Sequence, residues 1–379
     1  MSVAAGPKGP PVAVHQFIPT LNPRDATGTH TLLLRDALRA AGWRSEIFAE
    51  AIHDDLATQA YKHWCYPEQA AAGDVHIYQF STSSAVAGFL AERAEPLILD
   101  FHNFTGPELY AGWEPHTVDR AARAADELAL LAPRAALGLA DSPFNELELR
   151  HAGCRRTAVV PVLVDYGRVV ADPDQRVAAE LAARQADGGT DILFVGRVVP
   201  SKAQHELVKA LWAYRRLYDP SARLHLVGGT SSYEYTKALR GFIDDLGLTR
   251  AVRLAGDVSD AALAAYFAAA DVYLSLSVHE GFGVPLVEAM AAGVPVVTRA
   301  VGAVEGTVGD AALLLAGADP SYVAAALHRV CTDGALRATL IEAGRRRVPA
   351  LAPEAVAARV VAAVATVAGP PPTSGASAR

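Results

Sequence analysis

The sequence has little that would suggest a secreted or membrane-spanning protein. Its 379 residues include three cysteines, at positions 65, 154 and 331, which form neither a Cys-x-x-Cys pair nor a disulfide ladder. Reduced thiols in a cytoplasmic protein are therefore expected. No uninterrupted apolar run reaches the roughly 20 residues of a membrane-spanning helix, and residues 1–11 lack the apolar core of a secretory signal. The sequence predicts a cytoplasmic protein without an integral membrane segment.

Positive charge is also scarce. Lysine and arginine number 34 against 41 aspartates and glutamates, which gives a net charge of −7. Because binding nucleic acid over a broad surface needs clustered positive charge, we expect no nucleic-acid partner, although local sites for a small anion stay open. The run Arg345–Arg347 predicts a solvated helix end, with peripheral contact to an acidic membrane surface as the alternative.

Apolar residues are plentiful and recur in a regular order. They make up 51% of the chain, which is enough for large buried cores, and the length suits two domains. Short β-branched runs alternate with helical stretches, which predicts parallel sheets covered by helices on both faces. The predicted strands are 12–18, 45–49, 74–80, 96–101, 136–140, 158–164, 191–195, 223–227, 252–255, 271–277 and 295–298.

A single pause in this alternation predicts the domain boundary. The expected fold class is α/β, with two Rossmann-like parallel-sheet domains that face each other across a cleft. Neither domain has a Gly-x-Gly-x-x-Gly loop. Because parallel sheets bind ligands at the carboxyl ends of their strands, a ligand is expected between these ends of the two sheets. The predicted segments are a flexible arm at 1–11, a first domain at 12–170, a linker at 171–190, a second domain at 191–350, a helix at 351–368 packing back on the first domain by fold analogy, and a disordered tail at 369–379.

A glycine-rich turn between two acidic residues is the most informative motif. In VHEGFGVPLVEAMAAGVPVV, residues 278–297, a strand ends before a Gly-Phe-Gly turn, and a proline suits the start of the next helix. Backbone N–H groups and the partial positive charge of the helix start make this turn an anion site. Glu280 and Glu288 flank it, and carboxylates accept hydrogen bonds from paired sugar hydroxyls. The pattern predicts a phosphate held between two sugars.

This segment resembles the Glu-x7-Glu signature of the family 4 retaining glycosyltransferases, whose two-domain architecture is called GT-B. The resemblance implies that Glu288 binds the nucleotide ribose and that Glu280 binds hydroxyls of the donor sugar. It also implies that the backbone of Phe282, Gly283 and Val284 lies close to that sugar and its phosphate.

A basic motif, FVGRVVPSK at 194–202, follows the first strand of the second domain. Arg197 and Lys202 lie five residues apart in a loop and can converge on one pyrophosphate, the arginine as a fork and the lysine as a point charge. In the resembling family, the residues at these positions neutralise the departing diphosphate. Both are therefore predicted catalytic residues, together with Glu280.

The first domain offers weaker signals. Gly28, in DATGTH at 25–30, resembles the loop that faces the donor diphosphate in the family, where many members carry two glycines. His102 follows a predicted strand end and is the counterpart of the family's active-site histidine, placed to hydrogen-bond a sugar hydroxyl or to move a proton. The resemblance also implies that the backbone of Val258, in the second domain, touches the base. Where the family often has Asn-Gly-Val-Asp, this chain has VLVD at 162–165, which leaves the conformation of the hinge open.

Residues that could line an acceptor pocket follow shortly after His102, since aromatic faces stack on sugars. They are Asn103, Tyr110, Trp113 and His116. No metal is expected: the Asp-Pro-Asp string at 172–174 contains a bend-forming proline and follows no strand, and the two basic residues already offset diphosphate charge.

The sequence therefore predicts a retaining glycosyltransferase that moves a hexose-type sugar to an unidentified acceptor hydroxyl. Its co-substrate would be a GDP- or UDP-linked nucleotide sugar, with no other cofactor. Two alternatives stay open: a nucleotide-sugar epimerase of GT-B fold, and a non-catalytic subunit that binds a nucleotide sugar. The base, the sugar, the acceptor and the oligomeric state are not determined by the sequence.

Overall fold

The computed structural model describes residues 12–23, 25–68, 73–185 and 188–371 of the chain. The chain forms two compact units. The first contains the residues up to 104, residues 120–164 and the stretch from 353 onward; the second contains 105–119 and 165–352. Each unit has a parallel sheet with helices, so the expected α/β class with two Rossmann-like domains is confirmed.

The strands of the described chain pair in parallel in two sheets, ordered β3-β2-β1-β4-β5-β6-β7 in the first unit and β10-β9-β8-β11-β12-β13 in the second. In each sheet the order reverses beside the first long strand, at β1/β4 and at β8/β11, and ligands of such sheets bind where the order reverses. The strands are β1 (Val14–Leu21), β2 (Ile47–Ile52), β3 (Tyr61–Lys62), β4 (Val75–Phe80), β5 (Leu97–Phe101), β6 (Leu137–Ala140), β7 (Thr157–Val159), β8 (Asp191–Val195), β9 (Arg223–Val227), β10 (Val252–Gly256), β11 (Val272–Ser275), β12 (Val296–Arg299) and β13 (Ala312–Leu315).

Helices connect most of these strands and cover the sheets. They are α1 (Ala26–Ala41), α2 (Ala85–Ala91), α3 (Pro115–Leu131), α4 (Pro143–His151), α5 (Gln175–Gln185), α6 (Gln204–Leu217), α7 (Tyr233–Asp245), α8 (Asp260–Ala269), α9 (Val284–Ala291), α10 (Val304–Val308), α11 (Pro320–Thr332), α12 (Gly334–Arg347) and α13 (Pro353–Ala368).

Most predicted strands begin and end within three residues of the observed ones. The exception is 158–164, where the strand ends at Val159. Pro161 has no N–H to donate to a sheet, and its neighbours Val160 and Val162 are buried outside the strand. The short edge strands β3 and β13 were not predicted from the sequence.

The observed units differ from the predicted domain boundaries. The predicted linker, 171–190, lies in the second unit and contains α5, in which Leu181 is buried. The Asp174 N–H just before this helix donates to the carbonyl of Ala261 at 2.9 Å. The segment 105–119, predicted in the first domain, also lies in the second unit. The predicted arm, 1–11, and all but three residues of the predicted tail lie outside the described residues.

The C-terminal helix α13 packs in the core of the first unit, where Val356, Val360 and Val364 are at most 1% exposed. Within the described residues, the stretch Gly334–Ala368, which contains α12 and α13, is long and apolar enough to cross a membrane by length and composition alone. Such a stretch is weak evidence for a span, because core helices have the same composition and α13 has its valines in a core.

Candidate functional site

The candidate site is at the carboxyl edge of the second unit's sheet, where β8 and β11 are neighbours. The loop after β8 carries Arg197 and Lys202, and the loop after β11 carries Glu280. A hydrogen bond from the Val278 N–H to the carbonyl of Ser201, at 2.9 Å, joins these two loops. Two sequence motifs separated by about 80 positions in the chain therefore meet at one edge.

Lys202 and Glu280 form an ion pair, with 2.6 Å between Nζ and Oε1. Their side chains are 23% and 11% exposed, so water reaches the pair only in part. Burial, and to a lesser degree the charge of Lys202, lower the pKa of the neighbouring His279, while Glu280 opposes the shift. His279 is therefore neutral at pH 7, and the local charge comes from the lysine and the glutamate.

The Gly-Phe-Gly turn presents backbone rather than side chains. Gly283 begins α9 in the left-handed region, with φ of 88°, which favours glycine, and Val284 is the first helical residue. Phe282 is buried, and its carbonyl accepts a hydrogen bond from the Thr307 hydroxyl at 2.6 Å. The helix start lies directly after Glu280 and the turn, as the anion-site hypothesis requires.

Glu280 is also fixed through its backbone. Its carbonyl accepts a hydrogen bond from the Ala303 N–H at 3.0 Å. Gly302 has φ of 55°, and a Cβ there would lie 2.4 Å from the same carbonyl oxygen. The segment at Gly302 thus holds the Glu280 backbone so closely that only glycine fits.

Glu288 has a partner that the sequence reading missed. Its side chain is fully buried, and Oε1 accepts hydrogen bonds from Nε of Arg168 at 2.8 Å and from Nη2 of the same arginine. Nη1 of Arg168 also lies 3.6 Å from Oδ1 of the exposed Asp260. The other carboxylate oxygen, Oε2, is buried and has no hydrogen-bond partner in the described chain. Burial raises the pKa of Glu288, and Arg168 opposes this shift.

Arg197 is exposed, and its guanidinium has no hydrogen bond or ion pair among the described residues. Its carbonyl accepts from the buried Gln204 side chain at 2.8 Å, so the backbone is fixed although the side chain is not. Ala203, directly before Gln204, is buried and caps the start of α6. Its backbone is in the left-handed region, with φ of 49°. The structure thus does not bring Arg197 into the Lys202–Glu280 pair.

Two of the predicted donor contacts are backbone positions. Gly28 lies in the first turn of α1 and is buried, and a Cβ there would lie 2.0 Å from the carbonyl oxygen of Asn22. Close packing of the chain on itself is therefore enough to require glycine at this position. Val258 is half-buried between β10 and α8.

In the first unit, His102 follows β5 and is held by buried polar groups. Its Nδ1 lies 3.0 Å from a carboxylate oxygen of Asp141, and its Nε2 lies 2.6 Å from Oε1 of Gln79. Burial acts to lower the pKa of His102, but the carboxylates of Asp141 and Asp100 outweigh it and raise this pKa to about 9.

His30, Asp100 and His102 form the one group among the described residues whose ligand atoms lie close enough together, within 4.8 Å, to hold a metal ion. The hydrogen bonds argue against that use. Nδ1 of His30 accepts from the Leu163 N–H at 2.9 Å, so the His30 proton is on Nε2, which donates to Asp100 at 3.0 Å. With both nitrogens of His102 also facing acceptors, neither ring offers a lone pair to a cation in this arrangement.

The predicted acceptor residues are divided between the two units. Asn103, in the first unit, is buried with φ of 64°, and its amide donates to Asn145 and to Glu148, each at 2.8 Å. Its polar atoms are thus already engaged within the fold. The other three, the half-buried Tyr110 and the exposed Trp113 and His116, lie in the second unit. Trp113 packs edge-on against Tyr235, with 5.2 Å between the ring centroids.

Part of the second unit matches a known protein family. Residues 181–347 match the family described as Glycosyl transferases group 1. Proteins named D-inositol 3-phosphate glycosyltransferase are similar in sequence. That of Geodermatophilus obscurus is 36% identical over 225 residues, covering 57% of this chain and 48% of that protein. That of Thermobifida fusca is 30% identical over 281 residues, covering 71% and 64%. The chain thus spans about half to under two thirds of the length of these curated relatives.

Solved structures show the same fold over nearly the whole chain. HepE of Anabaena, in a crystal structure with UDP-glucose, superposes with a TM-score of 0.74 at 19% identity and covers 93% of this chain and 99% of HepE. The sucrose-phosphate synthase of Thermosynechococcus elongatus gives a TM-score of 0.74 at 21% identity, covering 93% and 98%. The fold that the Glu-x7-Glu resemblance implies is thereby confirmed: the chain has the GT-B fold, and its residues 181–347 match the family described as Glycosyl transferases group 1.

Proposed function

We propose that this chain is a retaining glycosyltransferase that moves a hexose-type sugar from a nucleotide diphosphate sugar to an acceptor hydroxyl. The observation that carries the proposal is the pair of acids beside the glycine-rich turn. Glu280 is paired with a cation, and Glu288 is buried with one carboxylate oxygen that has no donor. Buried polar atoms normally have partners, and a ribose hydroxyl would supply the one that Glu288 Oε2 lacks.

Donor binding would then exchange partners at the Lys202–Glu280 pair. The diphosphate would take Lys202 as its counter-ion, and this exchange would release Glu280 to accept hydrogen bonds from sugar hydroxyls. The exposed Arg197 would add a second cation from the same loop. In the slow step the bond between the anomeric carbon and the phosphate breaks, and positive groups at the phosphate stabilise the charge that develops there.

Retention of the anomeric configuration, membership of family 4 and independence of a metal are parts of this proposal, supported by the Glu-x7-Glu motif and by the two basic residues. No side chain is assigned as a nucleophile. The configuration of the new bond is measured directly by the coupling constant of the anomeric proton in the product, and activity in the presence of a chelator measures the need for a metal.

For substrates, the comparisons suggest a starting pair. The curated relatives are named for D-inositol 3-phosphate, which makes this polyol phosphate the first acceptor to test. UDP-glucose is the first donor, because HepE was crystallised with it, and GDP-mannose is the second. The three cysteines are unpaired, which suits a reducing compartment, so we also propose a cytoplasmic location.

The test is a donor screen followed by an assay for release of nucleoside diphosphate. A shift in melting temperature with UDP or GDP identifies the base, since a ligand that binds only the folded state stabilises it. Release of diphosphate that depends on an acceptor supports transfer. A changed but intact nucleotide sugar would instead show epimerisation, and tight binding without turnover would show a non-catalytic subunit.

A further inference from the structure

His102 faces a hydrogen-bond acceptor at each ring nitrogen. Nδ1 lies 3.0 Å from Oδ2 of Asp141, and Nε2 lies 2.6 Å from Oε1 of Gln79. The side chains of His102 and Asp141 are only 5% and 2% exposed, and Gln79 is fully buried. Water is thus largely excluded from the ring, so its protons must satisfy these partners.

The orientation of Gln79 is set by a chain of amides that ends at the backbone. Gln79 Nε2 donates to Oε1 of Gln16 at 3.0 Å, and Gln16 Nε2 donates to the carbonyl of Thr31 at 3.0 Å. A carbonyl only accepts, so Gln16 must direct its NH2 group at Thr31 and its oxygen at Gln79. Turning either amide over would put two acceptors face to face in a buried site. Gln79 therefore presents its oxygen to His102, and Nε2 of His102 must carry a proton.

The other ring nitrogen requires a proton as well. An unprotonated Nδ1 would direct its lone pair at the Asp141 carboxylate, so the His102–Asp141 pair holds a proton between its two groups. Imidazole is the stronger base by about 2.5 pKa units in water. At His102 the carboxylates of Asp141 and Asp100 outweigh the effect of burial, so the proton belongs on the ring. Burial raises the pKa of Asp141, so the pair keeps its proton over a wide pH range.

The remaining neighbours favour the same state. Asp100, on β5, and Asp25, just before α1, act to raise the pKa of His102 by their negative charge. His30, on α1, has its ring centroid 5.0 Å from that of His102 and is the neutral tautomer fixed by Leu163 and Asp100. The charged groups that act most strongly on the pKa of His102 are thus the carboxylates of Asp141, Asp100 and Asp25.

We infer that His102 is held as an imidazolium at neutral pH and acts as a fixed positive charge, not as a proton acceptor, with Gln79, Gln16 and Asp141 as its positioning residues. The inference deepens the proposed function, on which its catalytic meaning rests, because His102 is the predicted active-site histidine. Both N–H groups of the imidazolium stay with Asp141 and Gln79, so His102 keeps its charge through turnover without giving up or taking a proton.

The protonation state is measured by nitrogen NMR on protein labelled with 15N-histidine, without substrate. His102→Gln identifies the His102 signals by their loss. At pH 7.5 we expect two protonated ring nitrogens for His102 and one for His30, which is a neutral comparison in the same site. An unprotonated nitrogen on His102 at this pH overturns the inference.

Two variants test the amide chain. Gln16→Leu removes the acceptor that orients Gln79, which can then turn its NH2 group to Nε2, and we expect the pKa of His102 to fall by at least one unit. Gln79→Glu keeps an acceptor oxygen at Nε2, and His102 should stay protonated. Unchanged His30 signals show that each variant is folded. If Gln16→Leu folds and leaves the His102 pKa unchanged, the amide chain does not hold the proton; the wild-type spectrum decides the protonation state whether or not that variant folds.

The dependence of turnover on pH distinguishes the two roles. A fixed cation predicts turnover that is level from pH 6.5 to 8 and falls as the pH rises through about 9. A general base with this pKa predicts turnover that rises about tenfold per pH unit over the range below 9. Absence of any transferase activity would count against the proposed function and leave the NMR result as it stands.

Discussion

Substituting Arg168 by glutamine should leave a buried carboxylate without its counter-ion. Glu288 is fully buried, and the only hydrogen bonds to its side chain in the described residues come from Arg168. Glutamine is shorter and neutral, so it replaces neither the charge nor the two donors. The variant therefore tests whether Arg168 is what keeps Glu288 ionised in the folded protein.

The size of the effect follows from the geometry. With charge centres about 4 Å apart and an effective dielectric constant of about 20, the attraction is about 4 kcal/mol. The Arg168 side chain is 34% exposed, so water screens part of it. We expect roughly half of this, about 2 kcal/mol, to be lost from the free energy of unfolding at pH 7.5. For a unit of this size, the melting temperature should fall by about 4–8 °C.

The defect should depend on pH in a defined direction. The folded-state pKa of Glu288 is raised by burial, so between its unfolded and folded values the folded protein binds more protons, and stability decreases as the pH rises. Removing Arg168 raises the folded-state pKa of Glu288 further. The difference in melting temperature between wild type and Arg168→Gln should thus be largest near pH 8 and shrink toward pH 5.

A double-mutant cycle supplies the control. In a Glu288→Gln background no charge is left to compensate, and Arg168→Gln should cost about 2 kcal/mol less than in the wild type. An equal cost in both backgrounds, or a defect that does not change with pH, would refute the assignment of Arg168 as the counter-ion of Glu288.

Three further expectations follow from the site and the cores. Lys202→Ala should lower turnover by about 10²–10³-fold by removing charge at the leaving phosphate, whereas Lys209→Ala, at a half-buried helical ion pair with Glu206, should leave kinetics unchanged. Gly302→Ala should destabilise the protein by about 1–3 kcal/mol, measured by denaturant unfolding, because its Cβ would meet the Glu280 carbonyl at 2.4 Å. Burial lowers the pKa of His76 to about 4, so the unfolded chain binds more protons below pH 6.5. The free energy of unfolding of the first unit should then fall by about 3 kcal/mol between pH 6.5 and 4, and His76→Leu should abolish most of that slope; an unchanged slope in this variant would count against the assignment.

The sequence predicts those parts of the site whose signals are local. Strands β8 and β9 each begin with a charged residue and consist mostly of apolar residues, and their predicted and observed bounds agree to the residue. Lys202 and Glu280 follow strands that are neighbours in the sheet, and the carboxyl ends of neighbouring parallel strands lie at one edge. Their meeting could therefore be expected, although the ion pair between them was not.

The partners that depend on distant contacts were beyond the sequence. Arg168 lies 120 positions from Glu288, in a stretch predicted to end the first domain, and nothing in its neighbourhood distinguishes it from an ordinary surface cation. Asn103 was predicted for an acceptor pocket from its position alone. Its amide is instead taken up by Asn145 and Glu148, which come from a helix more than 40 positions later.

The left-handed conformation of Ala203 has a consequence for how the site meets a ligand. A residue with a side chain rarely visits this region, which costs an alanine about 1 kcal/mol. The corner directly after Lys202 is thus imposed by the buried fold around it, and a loose peptide would not adopt it. The backbone entropy of placing Lys202 is lost when the chain folds, so the nucleotide of the proposed reaction would encounter a cation whose backbone is already in position.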